Sequence, residues 1–225
     1  MMFHYDYPRT EDSWFYPKEH KGRHPFNKKI ISLNGLGRAG KTTQSLKLSK
    51  SDLGIPCIMY ALRDRFSEEF YSTLQRTEEQ MASEVLGIPS IAWLAAEFHW
   101  RVKPLLNSGK TVIIDHYIAD FYVDMIPDCD DVGTFLAFVR LMKMPDFGIG
   151  KHFYIDISYA EYLKRSNRED LVGGGKLKGE MVVPESDFKG RRKRYMELVD
   201  GGHLIYIDGC KDERGVFEDI TRGIE

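Results

Sequence analysis

The stretch Gly35-Leu36-Gly37-Arg38-Ala39-Gly40-Lys41-Thr42 constrains this chain more than any other. It fits the spacing G-x-x-x-x-G-K-[ST] without a mismatch. The apolar run Ile30-Ile31-Ser32-Leu33 before it predicts a short buried strand. Thr43 to Leu53, with Leu46, Leu48 and Leu53 among polar residues, predicts a helix after it. The glycine-rich loop thus lies between a strand and a helix N-terminus. There backbone N–H groups can curl around a phosphate, and the helix dipole favours the anion. Gly35, Gly37, Arg38, Ala39, Gly40, Lys41, Thr42 and Thr43 are the expected ATP-binding residues. Lys41 would reach the β/γ-phosphates and the Thr42 hydroxyl would hold Mg²⁺. The alternative is a chance glycine-rich turn, and the correct flanks on both sides weigh against it.

The totals set broad limits. A chain of 225 residues suits one domain, or one with a small appendage, and can bury most of its apolar surface. A net charge of −2 argues against a nucleic-acid partner. Cys57, Cys129 and Cys210 are widely spaced and form no C-x-x-C, so neither a zinc site nor a disulfide framework is expected. A reducing, cytoplasmic compartment follows as the default. Met1 to Thr10 lacks the apolar stretch of a secretory signal. No run approaches the ~20 apolar residues of a membrane helix.

Residues 1–27 are rich in aromatics, with prolines at 8, 17 and 25. They read as an irregular arm packed on the domain or on a partner subunit, ahead of a domain over 28–225. His4, His20 and His24 match no standard metal spacing and read as surface residues. Ile55 to Leu62 predicts a second strand, ending in Arg63-Asp64-Arg65. In open α/β sheets ligands bind at the carboxyl edge, but a solvated turn would read the same way. Phe66 to Gln80 and Met81 to Leu106 predict helices, with Trp93, Phe98, Trp100 and Val102 as core bulk.

Thr111 to Asp115 is an apolar strand ending in an acid, the form expected of a carboxylate that binds or orients Mg²⁺. Tyr117 to Met144 reads as mostly helical, interrupted by the acidic turn at 128–131. His152 to Ile157 predicts a strand ending near Asp156, and Ala160 to Arg168 a helix carrying Lys164, Arg165 and Arg168. The Gly- and Lys-rich stretch 173–179 cannot pack a core. Phe188 to Val199 resumes a helix with the basic run Lys189, Arg191, Arg192, Lys193 and Arg194. That run suits a solvated face, a nucleic-acid patch or a lid over a triphosphate. Leu204 to Ile207 and Val216 to Ile224 predict a last strand and helix. Alternating strands and helices make an α/β chain with a parallel sheet.

In this order the pieces resemble the thymidylate kinase family, in the nucleoside-monophosphate kinase branch, over about residues 29–224. Gly35 to Gln44 looks like that family's P-loop, including the Arg that some members carry inside it. Arg63 falls where the family has the Arg of its Arg-Glu-Pro motif. Val102 to Leu106, Gly109-Lys110 and Val112 to Tyr117 resemble its helix ending in Lys-Pro and its strand ending in Asp-Arg-Tyr or Asp-Arg-His. Tyr154 to Arg168, then Ser186-Asp187-Phe188, Arg191, Tyr195 and Leu198, look like the strand, lid start and following helix. Ile207-Asp208-Gly209 resembles the adenine-side loop.

The resemblance implies a three-layer P-loop NTPase fold, with a five-stranded parallel sheet flanked by helices and a short lid at about 166–187. It implies phosphoryl transfer from ATP, with Mg²⁺, to a small nucleotide-like acceptor, and homodimers. The expected catalytic residues are Lys41, Arg38, Asp115, Arg63 and Arg168. Thr42 and Asp115 manage the metal, and Arg165 joins the ATP site. Arg63, Asp64, Arg65, His116 and Tyr117 would meet the acceptor, with Arg101 as a further phosphate contact.

The departures from the family pattern cluster on the acceptor side. Gly37 stands where many members have an acid, and Asp115-His116 replaces the Asp-Arg pair. The place of the helix Arg that grips the acceptor phosphate holds Leu94 or, one turn on, Phe98. A guanidinium fork on phosphate cannot be copied by His or Leu. Three alternatives therefore stand beside a nucleotide kinase. One is a kinase of an unphosphorylated hydroxyl with Asp64 as base, another a nucleotide-binding regulatory protein without transfer, and the last a nucleic-acid binder using the basic run.

Overall fold

The computed structural model describes residues 29–51, 53–58, 94–124, 132–166 and 182–225. Five parallel strands form one sheet: β1 (Ile30–Asn34), β2 (Ile55–Ile58), β3 (Val112–Asp115), β4 (Lys151–Asp156) and β5 (Ile205–Asp208), in the order β2-β3-β1-β4-β5. The described helices are α1 (Lys41–Lys50), α2 (Lys103–Asn107), α3 (Ile118–Asp124), α4 (Val132–Leu141), α5 (Tyr159–Ser166), α6 (Glu185–Asp200) and α7 (Glu213–Ile224). A π-helical turn, Phe98–Val102, leads into α2. Helix α1 packs on β3 and α7, while α3 packs on α4 and α6, giving a three-layer domain.

Strands β1 and β3 are buried along their whole length, as expected of parallel strands covered on both faces. The register sets Leu33 opposite Asp115, Asn34 opposite Tyr154, and Asp156 opposite Asp208. Thus the carboxyl edge gathers the phosphate loop and three aspartates, from β3, β4 and β5. Gly150, with φ 101°, keeps the entry to β4 tight; a Cβ there would sit 2.6 Å from the Ile30 carbonyl oxygen.

One polar thread crosses the apolar core. His152 Nε2–H donates to the Ile149 carbonyl at 2.8 Å, so its Nδ1 accepts from the Ser32 hydroxyl at 2.7 Å. Ser32 Oγ in turn accepts from Asn34 Nδ2 at 2.9 Å, which also donates to the Phe153 carbonyl at 3.1 Å. Burial pushes the His152 imidazole down to about 4, so the ring stays neutral.

Several sequence expectations shift. Helix α1 begins at Lys41 rather than Thr43, because Gly40 in the left-handed region ends the loop directly before it. Helix α6 starts at Glu185, three residues before Phe188, with Glu185 and Asp187 in the first turn suiting the dipole. Phe98 and Val102 are core residues as expected, but Trp100 on the same turn is 74% exposed. The basic run of α6 is partly consumed inside the domain. Arg192 pairs with the buried Asp156, and the Arg194 guanidinium lies 4.3 Å from the centre of the Tyr122 ring. Lys189 and Lys193 pair with Glu185 and Glu197 one turn away. The arm over 1–27, the helix expected at Phe66 to Gln80, and lid residues 167–181 lie outside the described residues.

Candidate active site

The loop from Gly35 to Gly40 wraps the end of β1 onto the N-terminus of α1. Gly35 has φ 147°, and a Cβ there would stand 2.6 Å from the Ile155 carbonyl oxygen, so only glycine fits. Gly37 is different: a Cβ would meet nothing within 4 Å. Arg38 is left-handed at φ 65°. Lys41 is 5% exposed, and its ammonium lies within the loop, donating to the Gly35 carbonyl at 2.5 Å and the Leu36 carbonyl at 3.2 Å.

Strand β3 delivers Asp115 to the first turn of α1. Thr42 Oγ1 donates to Asp115 Oδ2 at 2.5 Å. Asp115 is fully buried, and its Oδ1 has no hydrogen-bond partner among the described residues. A buried carboxylate oxygen without a donor, beside a helix-start hydroxyl, fits a hard divalent cation. No cluster of three His, Cys, Asp or Glu side chains forms a metal site among the described residues. The fit is therefore to a cation that keeps waters and substrate oxygens, as Mg²⁺ does.

The donor-side Arg165 projects from α5 back onto the loop. Its Nη1 donates to the carbonyls of Arg38 at 3.2 Å and Ala39 at 3.3 Å, and its Nη2 to the carbonyl of Gly209 at 2.7 Å. Glu161 holds the guanidinium from one turn earlier at 2.8 Å, and the Arg165 hydrogen bond draws the Glu161 carboxyl below its ordinary range. Gly209 is itself packed so closely that a Cβ would lie 2.7 Å from the Asp156 carbonyl oxygen. Arg165 therefore ties the phosphate loop to the loop after β5.

On the acceptor side, His116 follows Asp115 with a left-handed backbone, φ 63°. Its Nδ1 lies 2.9 Å from Asp120 Oδ2, and its Nε2 3.8 Å from Asp115 Oδ1. The buried Asp120 also accepts from the Gly35 amide at 2.8 Å and from the Tyr195 hydroxyl. Burial works against its ionisation, but Lys41, His116 and Tyr195 outweigh that, and the carboxyl is held below the usual carboxylate range.

Tyr117 departs from the expected acceptor contact. Its ring is fully buried, its hydroxyl donates to the Pro145 carbonyl at 2.7 Å, and it stacks on His152 at 5.8 Å. Leu94 and Phe98 are fully buried too, so neither place could carry an arginine toward a ligand without opening the core. Arg101 donates to Glu97 at 3.0 Å. Arg63, Asp64, Arg65 and Arg168 lie outside the described residues.

Sequence reading missed Asp120, its contact with Tyr195, and the Asp156–Arg192 pair. Arg192 binds Asp156 through two hydrogen bonds of 2.8 and 2.6 Å, and Tyr154 donates to the same carboxylate at 2.7 Å. Asp156 pushes the Arg192 guanidinium up, and burial against that carboxylate pushes the Tyr154 hydroxyl up. One available signal for Asp120 was its position four residues after His116 at a helix start, where an acid favours the dipole.

Comparison with known proteins bears on the family and the fold. The family model described as thymidylate kinase matches residues 33–220. No curated relative matches the chain. The fold is similar to a solved thymidylate kinase from Ehrlichia chaffeensis, with a TM-score of 0.52 and 17% identity, covering 87% of this chain and 98% of that one. The match spans the phosphate loop, the Asp115 strand, the Arg165 helix and the first two-thirds of α7, and the chain belongs to the thymidylate kinase family.

Proposed function

We propose that this protein is an ATP-dependent kinase that transfers the γ-phosphoryl group to a nucleoside monophosphate or a closely related small acceptor. Family membership supports nucleotide phosphotransfer in general. The observation that carries the reading for this chain is the Thr42–Asp115 hydrogen bond at 2.5 Å, with Asp115 Oδ1 beside it accepting no hydrogen bond among the described residues. Thr42 and Asp115 would hold Mg²⁺, which when bound offsets the negative charge of the phosphates. Gly35 to Thr43 bind the triphosphate through backbone N–H groups. Lys41 leaves the Gly35 and Leu36 carbonyls to reach the phosphates, and Arg38 and Arg168 add positive charge where it accumulates in the transition state.

An acceptor phosphate oxygen attacks the γ-phosphorus. The bond to the bridging oxygen breaks, and its electron pair stays on ADP. That oxygen nucleophile is already ionised and requires no strong base. Arg63, Asp64, Arg65 and His116 meet the acceptor, and Arg165 steadies the adenine-side loop. Homodimers and a cytoplasmic location belong to the same proposal. Among the described residues, no helix is long and apolar enough to cross a membrane.

A second reading is nucleotide binding without transfer. Its support is the full burial of Leu94 and Phe98, where a phosphate-gripping arginine is expected. A screen of nucleoside monophosphates, nucleosides and other alcohols for ATP consumption separates the two. Transfer to one acceptor that is lost in Lys41→Ala supports the kinase. Tight MgATP binding with no turnover on any acceptor supports the second reading.

A further inference from the structure

We propose that Arg192 and Asp156 are positioning residues for the donor site, acting as a staple on the end of the β4–β5 ladder, an inference that rests on the kinase reading of this site. Asp156 is the last residue of β4, and its buried carboxylate gathers donors from three elements. Oδ1 accepts from the Tyr154 hydroxyl of β4 at 2.7 Å and from Arg192 Nε of α6 at 2.8 Å. Oδ2 accepts from Arg192 Nη2 at 2.6 Å and from the Tyr206 hydroxyl of β5 at 3.4 Å. One carboxylate thus ties the ends of both strands to α6. The guanidinium fork is the strong part of that tie, because bidentate bonds between charged groups exceed neutral ones.

The main chain of the same aspartate carries the connection to the donor site. The Gly209 amide donates to the Asp156 carbonyl at 2.7 Å, directly beyond the Asp156–Asp208 register pair. The Gly209 carbonyl receives Arg165 Nη2 at 2.7 Å, and Arg165 Nη1 reaches the Arg38 and Ala39 carbonyls of the phosphate loop at 3.2 and 3.3 Å. Strand ends open locally at a lower free energy than the interior of a sheet. The rung on which Arg165 depends is such an end, on the edge strand β5, where Ile205 and Tyr206 are exposed. The Asp156 carboxylate and its donors hold that end shut. Among the described residues Arg192 makes no hydrogen bond to the phosphate loop, so it acts there through Asp156, Gly209 and Arg165.

Arg192→Lys keeps a positive charge beside the buried carboxylate but cannot fill both arms of the fork. Amide hydrogen exchange of the full chain without nucleotide, read by NMR, is expected to accelerate about tenfold at Gly209. It is expected to stay as in wild type at Val112, whose amide donates to the Lys29 carbonyl at 2.7 Å elsewhere in the sheet. A non-hydrolysable MgATP analogue, titrated by calorimetry, is expected to bind Arg192→Lys about fivefold more weakly. In the Arg165→Ala background Arg192→Lys is expected to cost nothing further, because the connection is already cut. With an acceptor found in the nucleoside-monophosphate screen, Arg192→Lys raises the KM for ATP and leaves kcat within about twofold.

Equal acceleration at Gly209 and Val112 would make the pair a general stability element and overturn the proposal. Unchanged exchange at Gly209, or additive losses in the double variant, would overturn it too. If Arg192→Lys fails to fold, Asp156→Asn repeats the test, since whichever way its amide turns one arm of the fork meets an NH₂. If no acceptor is found, the kinase reading fails, while the exchange and analogue-binding measurements still decide the positioning role.

Discussion

Thr42 and Asp115 are 73 residues apart in the chain and share a hydrogen bond of 2.5 Å. The hydroxyl of the exposed Thr42, at the start of α1, donates to Oδ2 of the fully buried Asp115. Leaving a buried carboxylate oxygen without its donor costs about 1–3 kcal/mol. Thr42→Ala is therefore expected to lower stability by that order in metal-free buffer, and to abolish most MgATP-dependent turnover. Thr42→Ser, which keeps the hydroxyl, is expected to restore both. Thermal unfolding with and without MgATP checks the pair; a Thr42→Ala protein as stable and active as Thr42→Ser would contradict it.

The phosphate loop sets two glycines against each other. Gly35→Ala drives a Cβ to 2.6 Å from the Ile155 carbonyl oxygen, so the loop or β4 must move. Overpacking of this kind costs about 1–3 kcal/mol. Gly37 faces open space, so Gly37→Ala and even Gly37→Glu are expected to leave unfolding within about 0.5 kcal/mol of wild type. Any change in acceptor preference with Gly37→Glu then reports on the site and not on the fold. Denaturant titration, followed by the acceptor screen on both variants, tests the contrast.

Arg165 offers a test of the donor-side strap. Lysine has one ammonium and cannot span the Arg38, Ala39 and Gly209 carbonyls that the planar guanidinium reaches together. Arg165→Lys and Arg165→Ala are both expected to weaken MgATP binding by about tenfold. Calorimetric titration with a non-hydrolysable ATP analogue measures it. Equal affinity in wild type and Arg165→Lys would remove the strap from the binding account.

His152 gives the domain a pH dependence of known sign. Its ordinary value is 6.5, and burial lowers it to about 4 in the folded chain. Between those values the unfolded chain binds the proton and the folded chain does not. Stability is therefore fully present above pH 6.5 and is lost as pH falls toward 4, by about 3 kcal/mol at most. His152→Gln can keep a donor for Ile149 and an acceptor for Ser32 but cannot titrate. It is expected to flatten the stability curve between pH 7 and 4 relative to wild type. Urea midpoints across that range measure the difference; parallel curves would refute the assignment.

Local sequence patterns carried much of the fold and the donor half of the site. Ile30 to Leu33 is apolar but for Ser32, Val112 to Ile114 is apolar up to Asp115, and both stretches lie in fully buried parallel strands. The Gly-Lys-Thr spacing located Thr42 and Lys41 because that chemistry is local. What escaped was long-range or depended on a single backbone dihedral. Asp120 meets Tyr195 across 75 residues and Gly35 across 85, and no periodicity encodes such a meeting. Tyr117 goes to the core because the chain turns at left-handed His116 directly before it. Arg192 looks like one more charge in a basic run, yet Asp156 turns it inward. Trp100 is exposed while Phe98 is not, because residues two apart on a helical turn lie on nearly opposite faces.

The polar thread through the core also acts as an index mark on an otherwise featureless pair of strands. Ser32 stands directly opposite His152 in the β1–β4 register. A slip by one residue would set Ile31 or Leu33 against the imidazole and strand its Nδ1 without a donor. Apolar neighbours along β1 could not detect that error, since one aliphatic side chain replaces another at little cost. Because Asn34 immediately precedes Gly35, the same mark fixes to within one residue where the phosphate loop leaves the sheet. A histidine remote from any ligand thereby calibrates where the loop begins.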